Sequence, residues 1–363
     1  MRIAQITYSY KPIVGGADVY AARLHRLLLD DGHDACVYQR RRPTTGREVR
    51  ALPPIPGVSP GGEFWLLPLF LPLYAPALLR HRALIVHYPN YWMPVLWHRR
   101  IIGLSHGVTW DDRPDSAASR FKKWLAKAAF RNCQAFVAND TFFLREMGLE
   151  VEPGKHLFEE VAPGRWFIPN TVDVGTFAPN EGVSALRELN PILVPRNIYR
   201  NRGLHLALEA YALFRREHPE TTLVIVGDFS QPDYARELAT QVRHLGLVGR
   251  AIFTGPVPYE EMPTIYGSGL MTVVPSVCGE GTSLAALESM SCGVPTVTTD
   301  VGGLADLPTN QAPAEIDALA RAMLETFERR DEEGARQRKL VLSLFPEERW
   351  KETWLKVVQQ VAG

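Results

Sequence analysis

At 363 residues the chain is about twice the usual single-domain length, so two domains are expected. A content of 46% hydrophobic and 22% charged residues excludes a disordered or fibrous chain. The formal net charge of zero is a cancellation: residues 1–178 carry 22 basic and 16 acidic side chains, and residues 179–363 carry 18 and 24.

In chain order, Arg2–Tyr8 reads as a buried strand, Val14-Gly15-Gly16 as a tight turn, and Asp18–Leu29 as an amphipathic helix ending at Gly32. The opening MRIAQITYSY alternates like a strand and lacks the apolar run of a signal peptide. Ala35–Tyr38, Leu84–His87, Ile101–Leu104 and Ala135–Ala138 are further short strands. The uncharged stretch Phe64–Leu79 is interrupted by Pro68, Pro72 and Pro76, too short and too broken for a spanning helix. Cys36, Cys133, Cys278 and Cys292 show neither disulfide nor zinc-site spacing, which fits a reducing compartment. A cytoplasmic protein is the expectation.

Beyond the loosened stretch Phe177–Leu186 the strand–helix rhythm is clearer. Strands are expected at Ile192–Pro195, Leu223–Val226, Ala251–Thr254, Met271–Val274 and Thr296–Thr298, with helical patterns over 203–217, 233–246, 259–267 and 282–292 between them. A final amphipathic helix, Pro346–Val361, carries Trp350 and Trp354. Strands alternating with helices imply an α/β class: two Rossmann-like, doubly wound parallel-sheet domains facing a cleft.

The segment running from Pro275 to Pro295 carries the most chemistry. It leaves a buried strand, turns through Gly279 and Gly281, and opens a helix with Thr282 and Ser283 near its start. Free N–H groups and the helix dipole there favour an anion. Glu280 and Glu288 can line the mouth of one crevice, where carboxylates suit sugar hydroxyls better than phosphate. Read as a dinucleotide fingerprint the segment fails, because Leu284 stands where the third glycine belongs. A nicotinamide dehydrogenase is therefore disfavoured, and no Walker A motif supports an NTPase.

This segment resembles the E-x7-E signature of family 4 (GT4) glycosyltransferases, retaining enzymes of the GT-B fold. The resemblance extends to Gly15-Gly16, Gly32-His33, Ser105-His106-Gly107, Ile168-Pro169-Asn170-Thr171-Val172-Asp173 with Phe177, Leu223–Gly227 and Gly255-Pro256-Val257. It implies an acceptor domain over 1–178 plus 346–363 and a nucleotide-sugar domain over 185–345, the last helix crossing back to the first domain. It also implies the site residues. Arg196 and Arg202 would hold the donor diphosphate and stabilise it as a leaving group, Arg202 standing where the family has lysine. His106 would reach the donor sugar near its 6-hydroxyl and the reacting phosphate, and the Gly16 N–H would meet the same diphosphate. Glu288 would hold the ribose, Glu280 the sugar hydroxyls, and Gly281, Thr282, Ser283 and Leu284 would line the donor site. Gly255 and Val257 would meet the base through backbone atoms. Asp18 reads as a helix cap rather than an acceptor ligand. Asp306 stands near the family's proline–glutamate, where this chain is shorter.

No D-x-D spacing occurs, so no metal ligand is assigned, transfer is expected to be metal-independent, and no cofactor is expected beyond the UDP- or GDP-sugar substrate. A glycan, lipid-linked or small-molecule acceptor is expected, and no nucleic acid. Two other classes stay open: a GT-B sugar-nucleotide epimerase or hydrolase, and an inactive sugar-nucleotide-binding scaffold. Residues 80–131 hold ten Lys/Arg against three acids. Beside them, Phe64–Leu79 is either an exposed segment that docks on an anionic inner membrane face or a buried helix and loop.

Overall fold

The computed structural model describes residues 1–13, 15–42, 46–229 and 231–363; Val14, in the expected turn, lies outside them. The chain divides into two compact units. The first takes Met1–Glu152, His156–Pro169 and Glu348–Gly363, and the second takes Pro153–Lys155 and Asn170–Glu347.

The division falls earlier than the expected 178, for a local reason. The Asn170 N–H donates to the Thr282 hydroxyl at 3.2 Å, and the Thr171 hydroxyl donates to the Phe345 carbonyl at 2.6 Å. Phe177 packs against the rings of Tyr259 and Tyr266. Residues 170–178 are thereby tied to the second unit.

The first unit is built on β1 (Arg2–Ile6), β2 (Asp34–Arg40), β3 (Val49–Leu52), β4 (Ala83–Val86), β5 (Ile101–Ser105), β6 (Ala135–Ala138), β7 (Glu159–Ala162) and β8 (Arg165–Phe167). They lie in the order 3-2-1-4-5-6-8-7, parallel except for the β7–β8 pair. The second unit has β9 (Pro191–Pro195), β10 (Thr222–Val226), β11 (Ala251–Gly255), β12 (Met271–Val274), β13 (Thr296–Thr299) and β14 (Asn310–Ala312), all parallel, in the order 11-10-9-12-13-14. Runs such as ALIV in β4 and MTVV in β12 are buried throughout, as strands covered on both faces must be.

Both sheets reverse their strand order at one place, between β1 and β4 and between β9 and β12. Connections leave such a point in opposite directions and open a crevice at the strands' carboxyl ends, where doubly wound folds bind ligands. Arg196 follows β9, and the segment containing Glu280 follows β12.

The last helix, Glu347–Ala362, packs on the first unit. Its Trp354 is fully buried and donates from Nε1 to the Tyr20 hydroxyl at 2.8 Å. The proline-rich stretch becomes a short helix Pro60–Leu66, a 3-10 helix Leu67–Tyr74 and a single turn Ala75–Leu78. Leu67, Pro68, Leu71 and Leu78 are buried, while Leu66, Leu69, Leu73 and Leu79 are exposed. The stretch is thus neither wholly buried nor wholly exposed. Among the described residues no helix is long and apolar enough to cross a membrane.

Candidate active site

The second unit gathers its charged groups at the β9/β12 switch point. Glu280 is buried and bridges two guanidiniums: Oε1 lies 3.2 Å from Arg196 Nη2, and Oε2 pairs with Arg202 Nη1. The Ser276 hydroxyl also donates to Oε2, at 2.8 Å. Burial alone raises the Glu280 carboxyl, but Arg196 and Arg202 outweigh it and hold the group below its usual range. Two cations share one carboxylate here, so the cluster keeps a net positive charge.

The backbone around this cluster is drawn tight. Arg202 ends a 3-10 turn, and Gly203 follows with φ +68. A Cβ on Gly203 would lie 1.8 Å from the Pro275 carbonyl oxygen, so only glycine lets the two loops meet. A Cβ on Gly227 would lie 2.3 Å from the Arg196 carbonyl oxygen. Gly227 also donates its N–H to the Gly255 carbonyl at 3.1 Å, which connects the Arg196 loop to the end of β11. Gly303 N–H donates to the Glu280 carbonyl at 2.9 Å.

Arg196 Nη2 further donates to the hydroxyls of Ser276 and Ser283, each at 3.3 Å. Ser283 caps the helix Leu284–Ser291 by accepting the Ala286 N–H. That helix therefore begins two residues later than expected, with Gly281, Thr282 and Ser283 in the loop before it. Thr282 accepts hydrogen bonds from Asn170, at its hydroxyl and at its carbonyl, which ties the loop to that segment.

Glu288 is buried on the same helix, apart from the arginines. Tyr259 donates to its Oε1 at 2.8 Å and Tyr266 to its Oε2 at 3.0 Å. Burial first, then Glu288, pushes the Tyr266 phenol well above its usual range, so it stays a donor. These two tyrosines were not singled out by sequence. Their spacing of seven, two helical turns on one face, was the available signal. Gly255 closes β11 at the edge of the sheet, with half-buried Val257 beyond it and exposed Phe229 nearby. Asp306 is buried and accepts the Gly154 N–H at 3.2 Å, an anchor within the unit.

In the first unit, Gly16 opens the helix Gly16–Asp30 at the carboxyl side of β1. Asp18 accepts from the Gly15 N–H at 3.3 Å and from the Ser9 hydroxyl, which is the capping arrangement expected of it. His106 follows β5. Its Nε2 lies 3.1 Å from Nδ1 of the fully buried His87, and His87 Nε2 lies 2.8 Å from Gln5 Oε1. Tyr20 and Tyr88 rings pack against His106 at 5.1 and 5.4 Å. Burial pushes the His106 imidazole down to about 4, so it is neutral near pH 7.

Comparison with known proteins adds a second kind of observation. Residues 14–150 match the family model described as Glycosyltransferase Family 4, and residues 184–339 match Glycosyl transferases group 1. A glycogen synthase from Mycobacterium tuberculosis is 25% identical over 381 residues, covering 93% of this chain and 88% of that protein. A D-inositol 3-phosphate glycosyltransferase from Acidothermus cellulolyticus is 33% identical over 152 residues, 38% of this chain and 33% of its own. Among solved structures, a sucrose-phosphate synthase from Thermosynechococcus elongatus superposes with a TM-score of 0.83 at 19% identity, covering 99% of this chain and 98% of that one. Anabaena Alr3699/HepE, solved with UDP-glucose, gives 0.75 at 17% identity, with 99% of each chain covered.

Proposed function

The chain belongs to the family 4 glycosyltransferases of the GT-B fold, and from that premise we propose that it moves a hexose from a UDP- or GDP-sugar to an acceptor hydroxyl with retention of configuration and without a metal ion. The observation that carries this reading is the Glu280 carboxylate gripping Arg196 and Arg202 at the end of β9.

The chemistry follows from charge. As the bond from the anomeric carbon to the diphosphate oxygen breaks, negative charge grows on the leaving group. Guanidiniums already oriented by Glu280 meet that charge without reorganising. The buried Arg196 Nε–H lacks an acceptor among the described residues, which suits an anion held close to it. The bond to the acceptor oxygen forms on the same face of the sugar, and the acceptor's proton passes to the departing diphosphate. Glu280, ionised and engaged by two arginines, positions the cations and is no nucleophile. Glu288, with Tyr259 and Tyr266 fixing its plane, accepts the ribose hydroxyls. Phe229 offers a ring beside Gly255 for the base to stack on. In the first unit, Gly16 is assigned to the diphosphate and His106 to the donor sugar.

The reading is tested by thermal shift against UDP, GDP, ADP and their sugars, followed by turnover with and without EDTA. Stabilisation by one nucleotide diphosphate and EDTA-resistant, configuration-retaining transfer are expected. Strict dependence on a divalent ion, or an inverted product, would overturn it. Donor consumption without an acceptor would identify an epimerase or hydrolase instead, and binding without turnover an inactive scaffold.

The first unit also carries a surface suited to an anionic membrane. Leu69 and Leu73 are 64% and 75% exposed, and Phe121 stacks on Trp124 in the open at 5.8 Å. Lys122 lies over the Trp65 ring at 5.9 Å, joining the two apolar stretches, with Lys123 and Lys127 on the same helix. Each cation near such a surface contributes about 1 kcal/mol. Flotation with phosphatidylglycerol vesicles, lost with phosphatidylcholine alone and weakened by Leu73→Asp, is the expected result. Flotation that ignores lipid charge and salt would remove this part of the reading.

A further inference from the structure

His106 is held by a chain of hydrogen bonds whose direction can be read from one end. Gln5 is fully buried on β1, and its amide nitrogen donates to the Ala21 carbonyl at 3.4 Å. That contact turns its oxygen toward His87 Nε2, 2.8 Å away. An amide oxygen only accepts, so the proton of neutral His87 sits on Nε2. His87 Nδ1 is then a bare lone pair facing His106 Nε2 at 3.1 Å. Two lone pairs cannot share that distance, so His106 Nε2 carries the proton and donates it. The remaining ring nitrogen of His106, Nδ1, is left as an acceptor.

We propose that Gln5 and His87 are positioning residues that lock His106 in the Nε2–H form and so present Nδ1 to the substrate as an acceptor only. The proposal rests on the assignment of His106 to the donor sugar. The rings support the lock: His87 and His106 lie 20° from parallel with centroids 5.4 Å apart, and Tyr20 packs edge-on against both. Burial of His87, with His106 beside it, keeps the His87 imidazole well below its usual range, so the chain does not reverse by charging at neutral pH.

The chemical consequence is selective. An acceptor-only nitrogen receives a hydrogen bond from a sugar hydroxyl. It has nothing to offer a carboxylate or a phosphate oxygen, both acceptors at that pH, so in this proposal His106 meets the sugar and leaves the diphosphate to Gly16 and the arginines. The donor class that fits is a neutral hexose; a hexuronate placing its carboxylate at His106 would leave two acceptors face to face.

The test uses the full chain with nitrogen-15 histidine. Long-range proton–nitrogen spectra of the unmodified protein at pH 7 should show His106 protonated at Nε2 and bare at Nδ1. His87→Phe removes the acceptor and should leave His106 as a mixture of tautomers, with kcat down about tenfold, the lower end of what losing an orienting partner costs a metal-bound histidine. KM should change far less. His87→Asn, whose amide oxygen can accept the same proton, should restore both the spectrum and most of the rate. A wild-type His106 protonated at Nδ1 would overturn the proposal, as would an unchanged tautomer and rate in His87→Phe. The spectra of the unmodified protein need no variant to fold. His106→Ala separates the two claims: full activity there removes His106 from the reaction, while the tautomer is still decided by the spectra.

Discussion

Glu280 serves two arginines at once, and this sets unequal expectations for substitutions around it. Arg196→Ala takes away a cation that is almost fully buried, together with its bonds to Ser276 and Ser283. Turnover should fall about 100- to 1,000-fold, the usual result of deleting one preorganised donor to a developing anion. Arg202 is more exposed, and its partner Glu280 would still pair with a lysine. Arg202→Lys should therefore keep most of the rate that Arg202→Ala loses, a comparison read directly from kcat. Equal losses would mean that the fork geometry matters more than the charge. Gly203→Ala is a different kind of change. With φ +68 and the Pro275 carbonyl oxygen 1.8 Å from the new Cβ, the loop must open. Both thermal stability and activity should drop, and a Tm equal to that of the unmodified protein would show that the two loops are not packed as described.

At the level of elements, the parts legible in the sequence were those in which pattern and packing agree. MTVV followed by a glycine turn and an apolar helix reads the same way in both, and the strand lies where the pattern puts it. Glu280, Arg196 and Arg202 were each singled out, yet their mutual ion pairing was not, because sequence spacing says nothing about which carboxylate two distant loops will share. His87 was read only as a strand end, since a lone histidine has no signature until Gln5 and His106 stand beside it. Strands β14 (Asn-Gln-Ala) and β7 (Glu-Glu-Val-Ala) give no strand signal because they are short, polar and partly exposed, and β8, though Trp166 and Phe167 are buried, is only three residues long. The stretch 64–79 is hard to read because its prolines break the α-helical period, and the 3-10 turns that replace it repeat every three residues rather than every 3.6. The last helix was legible through Trp350 and Trp354, large residues at helical spacing. Trp354→Ala leaves a cavity and takes a donor from the Tyr20 hydroxyl, and should destabilise the protein by about 3–5 kcal/mol in denaturant titrations. A loss below about 1 kcal/mol would place that helix outside the core of the first unit.

For the whole molecule, the equality of acid and base suggests a stability curve centred near the pI of about 7.2, but the buried histidines argue otherwise. Burial is the leading cause that lowers His25, His81, His87, His106 and His205 below the usual histidine value, to about 4 for His106. As the pH drops through about 6.5, the unfolded chain takes up protons at these sites while the native protein does not. The unfolded state then binds more protons, so stability must fall with pH over that interval. Glu280, held below its usual range, adds a further loss as the pH falls through its own titration. Stability from these groups is therefore fully present above about pH 6.5 and is lost toward pH 4. Calorimetric scans should show a Tm that is flat from pH 7 to 8 and declines steadily from pH 6 to 4.5, an asymmetry about the pI that net charge alone would not produce. His25→Leu, which removes the imidazole packed on Tyr10, should make the decline shallower in the same scans. A Tm that is level between pH 7.5 and 5 would mean that the histidines charge as readily in the folded protein as in the unfolded chain.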